Sequence, residues 1–214
     1  MALGLSRRQS EQLSRLTTPE EIQDFVNRIP MNFEIGGGTA LSVTETLKQR
    51  RAHCLEGAMI AAAAFHMNGA PPWLMDMGAA DGDVDHVIAL FKRGGYWGAI
   101  SKSNGAYLRY RDPIFKSLRE LALSYFVEYT KGRKKTLRTY SVPVNLRKVD
   151  PKLWVTNRKF CEEIVDILTV ARHFNLVPRG QAKRLRPIDR VERAANKLDD
   201  YTDPRGKKKR KRRV

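Results

Sequence analysis

Residues 50–69 read RRAHCLEGAMIAAAAFHMNG and predict the central helix of the fold. From Cys54 to Asn68, small and apolar residues occupy most of the circumference of a helix, which is typical of a helix that packs closely on several sides. Gly69 predicts the C-cap, and a Pro-Pro pair follows where a helix cannot continue. We therefore expect a helix buried against a sheet.

Residues 85–104 read DHVIALFKRGGYWGAISKSN and predict a β-hairpin. The two β-rich runs Val87–Phe91 and Tyr96–Ile100 flank Gly94 and Gly95. Such a glycine pair supplies the positive φ angles of a tight hairpin turn. Two antiparallel strands are expected here.

Capping residues predict two helices before the central one. Thr18, Pro19 and Glu21 predict the start of a helix, and Ser42 with Glu45 predicts another that runs to about Gln49. Between them, residues 36–40 are interpreted as a flexible connector. The other predicted elements, in chain order, are a strand within 71–79, a helix over Ser117–Tyr129, a basic turn at 131–135, a strand within 136–144, and helices over about Arg158–Phe174 and Asp189–Asp200. Together they favour an α+β fold in which the central helix packs on an antiparallel sheet and further helices follow.

The distribution of charge divides the chain into two regions. The 214 residues carry a net charge of +17, and eight of the basic residues lie in 205–214, so subtracting them leaves +9 for the rest. A run of like charges has nothing to bury, so we predict one domain over 1–200 and a disordered basic tail over 201–214. The charge suggests nucleic acid or another acidic surface as a partner. With no apolar run of membrane-spanning length and no signal peptide, we expect no membrane partner and a cytoplasmic protein, or a nuclear one where the host has a nucleus.

Cys54 is the predicted nucleophile. A thiol attacks as thiolate, and a helix N-terminus stabilises that anion through its free N–H groups and the helix dipole. His86 begins the first hairpin strand and is the best placed base, since a side chain there can point at a helix lying across the end of the sheet. His53 adjoins Cys54, but we expect it to project elsewhere, and His173 is expected in a distant helix.

The third member of such a site would accept the other N–H of the imidazole. The predicted hairpin register puts Ser101 and Ser103 on the face of His86. Asn104 has the opposite parity, but it lies at the strand end, and its amide oxygen is a well fixed acceptor. Asp83 and Asp85 are nearby carboxylates. The residues themselves leave these alternatives open.

The order of these motifs resembles the transglutaminase-like superfamily, a branch of the papain-like cysteine fold, over about residues 42–104. In that resemblance the nucleophile falls on Cys54, the turn after the helix on residues 69–71, and the histidine on His86. The tryptophan that commonly precedes the family's aspartate falls on Trp97. The aspartate itself falls on Ser101, so the resemblance implies that Ser101 or Asn104 substitutes for it.

The resemblance implies a papain-like core and acyl transfer at an amide or peptide bond. The Cys54 thiolate attacks the carbonyl, His86 protonates the departing amine, and water or another amine resolves the thioester. The backbone N–H of Cys54 is the expected first oxyanion donor, and Gln49 is a candidate for the second. No metal or organic cofactor is needed, and the expected partner is a peptide or protein amide.

The net charge and the missing aspartate also favour a function other than catalysis. The chain is alternatively a catalytically degenerate binding protein that uses its basic surface and tail to hold nucleic acid or an acidic partner. Arg109 and Arg111 are candidates to grip a substrate carboxylate, although solvated arginines are commoner. Cys161 is expected to be a half-buried structural thiol within a helix.

Overall fold

The computed structural model describes residues 3–34, 38–178 and 180–205. The chain forms eight α-helices and nine strands within these ranges. The helices are α1 (Arg7–Ser14), α2 (Pro19–Arg28), α3 (Val43–Gln49), α4 (Cys54–Met67), α5 (Leu118–Ser124), α6 (Pro151–Trp154), α7 (Glu162–Val170) and α8 (Arg190–Ala195). The strands are β1 (Trp73–Met77), β2 (His86–Arg93), β3 (Tyr96–Ile100), β4 (Arg111–Phe115), β5 (Thr130–Lys131), β6 (Lys134–Lys135), β7 (Thr139–Ser141), β8 (Val144–Asn145) and β9 (His173–Asn175). The α+β class is therefore confirmed.

The principal sheet has five antiparallel strands in the order β4-β3-β2-β1-β8. The hairpin of β2 and β3 turns at Gly94 and Gly95, whose φ angles are +59° and +87°, as predicted. Its pairs include Ala89 with Ile100 and Leu90 with Ala99, so the predicted register is also confirmed.

Helix α4 lies at the centre of the larger hydrophobic core. Its residues from Leu55 to Phe65 are all buried, since their small side chains allow α1, α2, α3 and the sheet to approach on different sides. The opposite face of the sheet, carrying Ile88 and Leu90, packs against Leu121 of α5 and Tyr125 in a second core. The sheet thus separates the two cores, and its strands β1 and β2 contact α4.

Capping explains where the early helices begin. Thr18 caps α2 and forms the predicted reciprocal capping box with Glu21, and Ser42 caps α3 by accepting the N–H of Glu45. Helix α1 was not predicted, although Ser6 and Gln9 form a capping box at its start. Serine followed three residues later by glutamine is the signal that identifies this helix in the sequence.

Three predicted helices are shorter in the structure, among them α8, which ends at Ala195 rather than at 200. Helix α5 ends at Ser124, because the chain turns after Tyr125 and Glu128 binds Arg111 at 2.6 Å. Helix α7 ends at Val170, and β9 pairs with β7, so the prediction of a helix through 174 was wrong at its end. His173 consequently lies in a strand, where β7 supplies its backbone hydrogen bonds.

The predicted connector and tail fall partly outside the described residues. These are residues 36–37 of the connector and 206–214 of the tail. Tyr201, the first residue of the predicted tail, is bound through its backbone to the side chain of Asn104. Among the described residues, no helix combines the length and apolar character needed to cross a bilayer.

Candidate active site

Cys54 is the first residue of α4, and its side chain lines a cleft of about 640 Å³. That volume lies within the range of small-molecule and peptide pockets. The backbone N–H of Cys54 belongs to the first helical turn, whose donors have no acceptor within the helix. Cys54 is only partly buried.

His86, at the start of β2, lines the same cleft as Cys54 and lies close enough to lower the pKa of its thiol. Its Nε2 lies 2.8 Å from the hydroxyl oxygen of Ser101, so Nδ1 is the ring nitrogen that remains for the sulfur. The ring is 7% exposed and meets Tyr129 edge to face, with 6.5 Å between ring centroids. The structure therefore places Cys54 and His86 in one cleft and Ser101 against His86.

Ser101 is held on three sides. Its hydroxyl donates to the carbonyl of Leu108 at 2.5 Å, and the amide of Gln23 pairs with its backbone N–H and carbonyl, both at 2.9 Å. A hydroxyl has one hydrogen, so the oxygen that has donated to Leu108 acts as acceptor towards His86. This arrangement favours the imidazole tautomer with its proton on Nε2.

Leu108 presents this carbonyl because its backbone adopts a left-handed conformation with φ of +57°. Its N–H donates to Glu128 at 3.0 Å, and Glu128 is in turn bound by Arg111 at 2.6 Å. An ion pair therefore supports the loop that fixes Ser101.

His53 also lies beside the sulfur, so the expectation that it projects elsewhere was wrong. It is the N-cap of α4, with Nδ1 3.9 Å from the Cys54 sulfur and 3.2 Å from the N–H of Leu55. An N-cap side chain bends back over the first turn of its helix. The signal that sequence reasoning missed is the spacing of His53 and Glu56, which is that of a capping box.

A buried carboxylate supports His53 from behind. Glu56 is fully buried, and its Oε2 accepts the backbone N–H of His53 at 2.8 Å. Its other donors are the Asn32 amide at 3.0 Å, the Leu41 N–H at 2.9 Å and the Thr39 hydroxyl at 3.1 Å. These contacts fix both the helix start and the imidazole attached to it.

The two imidazoles change the acidity of the thiol. Burial opposes ionisation of Cys54, but hydrogen bonds and positive charge from His53 and His86 hold its pKa well below the usual value. Burial also opposes charge on His53, whereas Cys54, Glu56 and the Thr39 carbonyl together raise its pKa to about 10. The site thus favours a thiolate beside imidazolium.

The other candidates from the sequence lie at different places. Asn104 and Ser103 line the cleft, but the Asn104 amide is engaged by the backbone of Tyr201 at 2.9 Å in both directions. Gln49 binds Glu45 at 3.1 Å on the exposed side of α3 and is not among the described residues that line the cleft. Among the described residues, we assign no second oxyanion donor.

The two arginine candidates serve the protein itself. Arg111 binds Glu128 and stacks on Tyr125 at 4.0 Å, and Arg109 binds the Gly105 carbonyl at 2.9 Å and Asp200 at 3.4 Å. Their donors are therefore directed at protein groups. Cys161 is fully buried and is the N-cap of α7, so the expectation of a half-buried helical thiol was wrong.

Carboxylates dominate the charged walls of the cleft. The acidic lining residues are Glu34, Asp76, Asp83, Asp85 and Glu128. Lys102 also lines it, but its Nζ is directed at the Ile29 carbonyl at 2.5 Å. Asp76 binds His173 at 3.1 Å, and burial raises its pKa to about 6.

Within the described ranges, no cluster of three or more His, Cys, Asp or Glu side chains has the arrangement of a metal site.

Comparison of the chain with protein-family models and with curated protein sequences finds no match.

Proposed function

We propose that the protein is a cysteine hydrolase or acyltransferase that acts on an amide or peptide bond through Cys54 and His86. The observation that carries this proposal is that Cys54 and His86 line one cleft, while Ser101 binds Nε2 of His86. A nucleophile, a base and a group that orients the base are the parts required for covalent acyl transfer.

The architecture supports the same proposal. A cysteine at the start of a central helix, with a histidine that begins an antiparallel strand, is what the resemblance to the transglutaminase-like superfamily implies. In this proposal α4 and the β1–β3 strands form the papain-like core. Ser101 takes the position of the family's aspartate and orients His86 as a neutral acceptor.

The proposed reaction conserves its atoms and protons. Cys54 gives its thiol proton to Nδ1 of His86, and the sulfur bonds to the substrate carbonyl carbon. The carbon–nitrogen bond then breaks, and His86 returns the proton to the departing amine. Water or a second amine attacks the thioester and passes a proton to His86. The carbon–sulfur bond then breaks, and His86 returns that proton to the Cys54 sulfur. The backbone N–H of Cys54 stabilises the developing oxyanion.

An acyl-enzyme assay tests this function. With p-nitrophenyl acetate, we expect a burst of p-nitrophenol in proportion to enzyme and an acetyl adduct on Cys54 in the intact mass spectrum. Cys54→Ala serves as the blank for slow lysine acetylation, and Cys161→Ala is the matched control. Equal bursts from wild type and Cys54→Ala would rule out the proposed nucleophile.

A second function, binding of nucleic acid, is supported by the net charge of +17. The acidic walls of the cleft make it an unfavourable place for phosphates, so this binding would use other surfaces of the protein. Retention on DNA or RNA should then fall steeply with salt, and the slope should shrink when residues 205–214 are removed. Salt-independent behaviour, or no retention at all, would end this second proposal.

A further inference from the structure

The two imidazoles at the sulfur have different supports. Nε2 of His86 is bound by the neutral hydroxyl of Ser101 at 2.8 Å. Nε2 of His53 lies 2.6 Å from the Thr39 carbonyl, 3.2 Å from a carboxylate oxygen of Glu34 and 3.8 Å from one of Glu56. The carboxylate support that is missing behind His86 is therefore present behind His53.

The carboxylates behind His53 stabilise a positive charge on its ring more than a hydroxyl group would. An imidazolium on His86 meets a hydroxyl dipole, whereas one on His53 meets carboxylate groups. Glu56 has no exposed surface, and the His53 side chain is 12% exposed, so water screens their attraction weakly. Charge on His53 is thus favoured both by the carboxylates behind it and by a thiolate in front.

We propose that His53 is a positioning residue that, as an imidazolium, holds the Cys54 sulfur in its thiolate form, while His86 moves the proton. This inference rests on the proposed function and assigns separate roles to the two histidines. His53 takes its proton from solvent and keeps it, whereas the proton that leaves the Cys54 thiol is held by His86 and passes to the departing amine. His53 therefore acts through Cys54 rather than on the substrate.

The geometry at Nδ1 of His53 includes the switch that this role requires. In the neutral ring Nδ1 accepts the N–H of Leu55. A proton on Nδ1 makes it a donor, and the acceptor beside it is the Cys54 sulfur at 3.9 Å. A protonated His53 beside the thiolate thus replaces a capping hydrogen bond with a charge-assisted one. The pKa of His53 is raised to about 10, which agrees with a protonated ring.

The substitution His53→Asn tests the role while preserving the helix start. Asparagine is among the best N-cap residues, but it carries no titratable ring. We expect the pH profile of Cys54 alkylation by iodoacetamide to shift upward, with a rate at pH 6 at least tenfold below wild type, because each unit of thiol pKa changes the thiolate fraction about tenfold. Glu11→Gln, at an exposed ion pair of α1, should leave the profile unchanged.

The outcomes separate this inference from the proposed function. A wild-type profile like that of a free thiol would remove the activated nucleophile and with it the proposed function. If the wild-type thiol titrates at low pH and His53→Asn does not shift that titration, the role of His53 is overturned but the proposed function is not.

A second measurement needs no folded variant. In wild type labelled with ¹⁵N-histidine, we expect one ring to remain doubly protonated at pH 8.5, well above the ordinary histidine value of about 6.5. A spectrum with no imidazolium at that pH would overturn the proposal.

Discussion

Nε2 of His86 lies 2.8 Å from the hydroxyl oxygen of Ser101, and that hydroxyl donates its hydrogen to the carbonyl of Leu108. The oxygen therefore accepts the Nε2 proton of His86, which leaves Nδ1 unprotonated towards Cys54. A neutral acceptor orients the ring but does not offset a positive charge on it.

Substitution Ser101→Ala should slow acyl transfer by about tenfold, or about 1.4 kcal/mol in activation free energy, because the ring loses its orienting acceptor. Ser103→Ala is the matched control, since the Ser103 hydroxyl binds the Gly105 N–H at 3.2 Å, and its rate should stay within about twofold of wild type. Steady-state kinetics with the same ester measure both. Equal losses in the two variants would contradict the orienting role of Ser101.

Alkylation should distinguish the two cysteines of the chain. Cys54 lines the cleft and has a lowered pKa, whereas Cys161 has no exposed surface and burial raises its pKa to about 12. Iodoacetamide at pH 6 should therefore add one group to wild type and to Cys161→Ala, and none to Cys54→Ala, as read by intact mass. A modified Cys161 in the folded protein would contradict the burial described here.

Substitution Glu56→Gln should lower the free energy of unfolding by about 2–4 kcal/mol, because the new NH₂ group would face donors instead of an acceptor. Whichever carboxylate oxygen becomes the NH₂ group, one backbone donor loses its acceptor: the Leu41 N–H at Oε1 or the His53 N–H at Oε2. Urea unfolding measures the loss, and Glu11→Gln, in a 51% exposed side chain, should change it by less than about 0.5 kcal/mol. An unchanged free energy of unfolding in Glu56→Gln would mean that these hydrogen bonds do not stabilise the fold.

Asp76 should make stability depend on pH. Burial raises its pKa from 3.8 to about 6, so the folded state keeps a proton that the unfolded state has already released. Its stabilising effect is complete below pH 3.8 and is lost as pH rises through about 6. Relative to wild type, Asp76→Asn should gain about 2–3 kcal/mol in unfolding free energy between pH 4 and pH 8. Parallel urea titrations of the two proteins across that range would contradict this.

Substitution Gly57→Ala should destabilise the protein, although alanine ordinarily stabilises a helix interior by about 1 kcal/mol relative to glycine. A Cβ at this position would lie 2.6 Å from Cβ of Lys102 and 3.2 Å from Val26. Lys102 cannot move easily, since its Nζ is bound to the Ile29 carbonyl. We expect a net loss of about 1–3 kcal/mol by thermal or urea unfolding, and a gain in stability would show that α4 has room here.

Local rules account for the parts of the fold that the sequence predicted. Gly69 follows the C-cap of α4 and has a φ of +81°. Few residues other than glycine adopt this conformation, so a glycine here marks the end of the helix. Gly94 and Gly95 fix the hairpin turn, and the turn fixes the register. Since side chains alternate along a strand, the position of Ser101 on the face of His86 follows from counting residues along that hairpin.

Contacts between distant segments account for the parts that were missed. The spacing of His53 and Glu56 is visible in the sequence, but only the tertiary structure brings the donors of Asn32, Thr39 and Leu41 to Glu56. The chain reverses so that Tyr201 occupies the Asn104 amide, and no local pattern predicts a partner so far along the chain. His173 forms a strand because β7 offers it a partner, a tertiary effect that overrides helical propensity.

The sequence by itself determined the buried helix that begins at Cys54, the hairpin that begins at His86 and the α+β class, because capping, periodicity and turn chemistry act over a few residues. Only the tertiary structure decided that His53 meets the sulfur, that the Leu108 carbonyl sets the direction of Ser101, and that carboxylates line the cleft of a basic protein. Those relationships depend on chain segments that meet through packing, and packing energy is not encoded in any one short stretch.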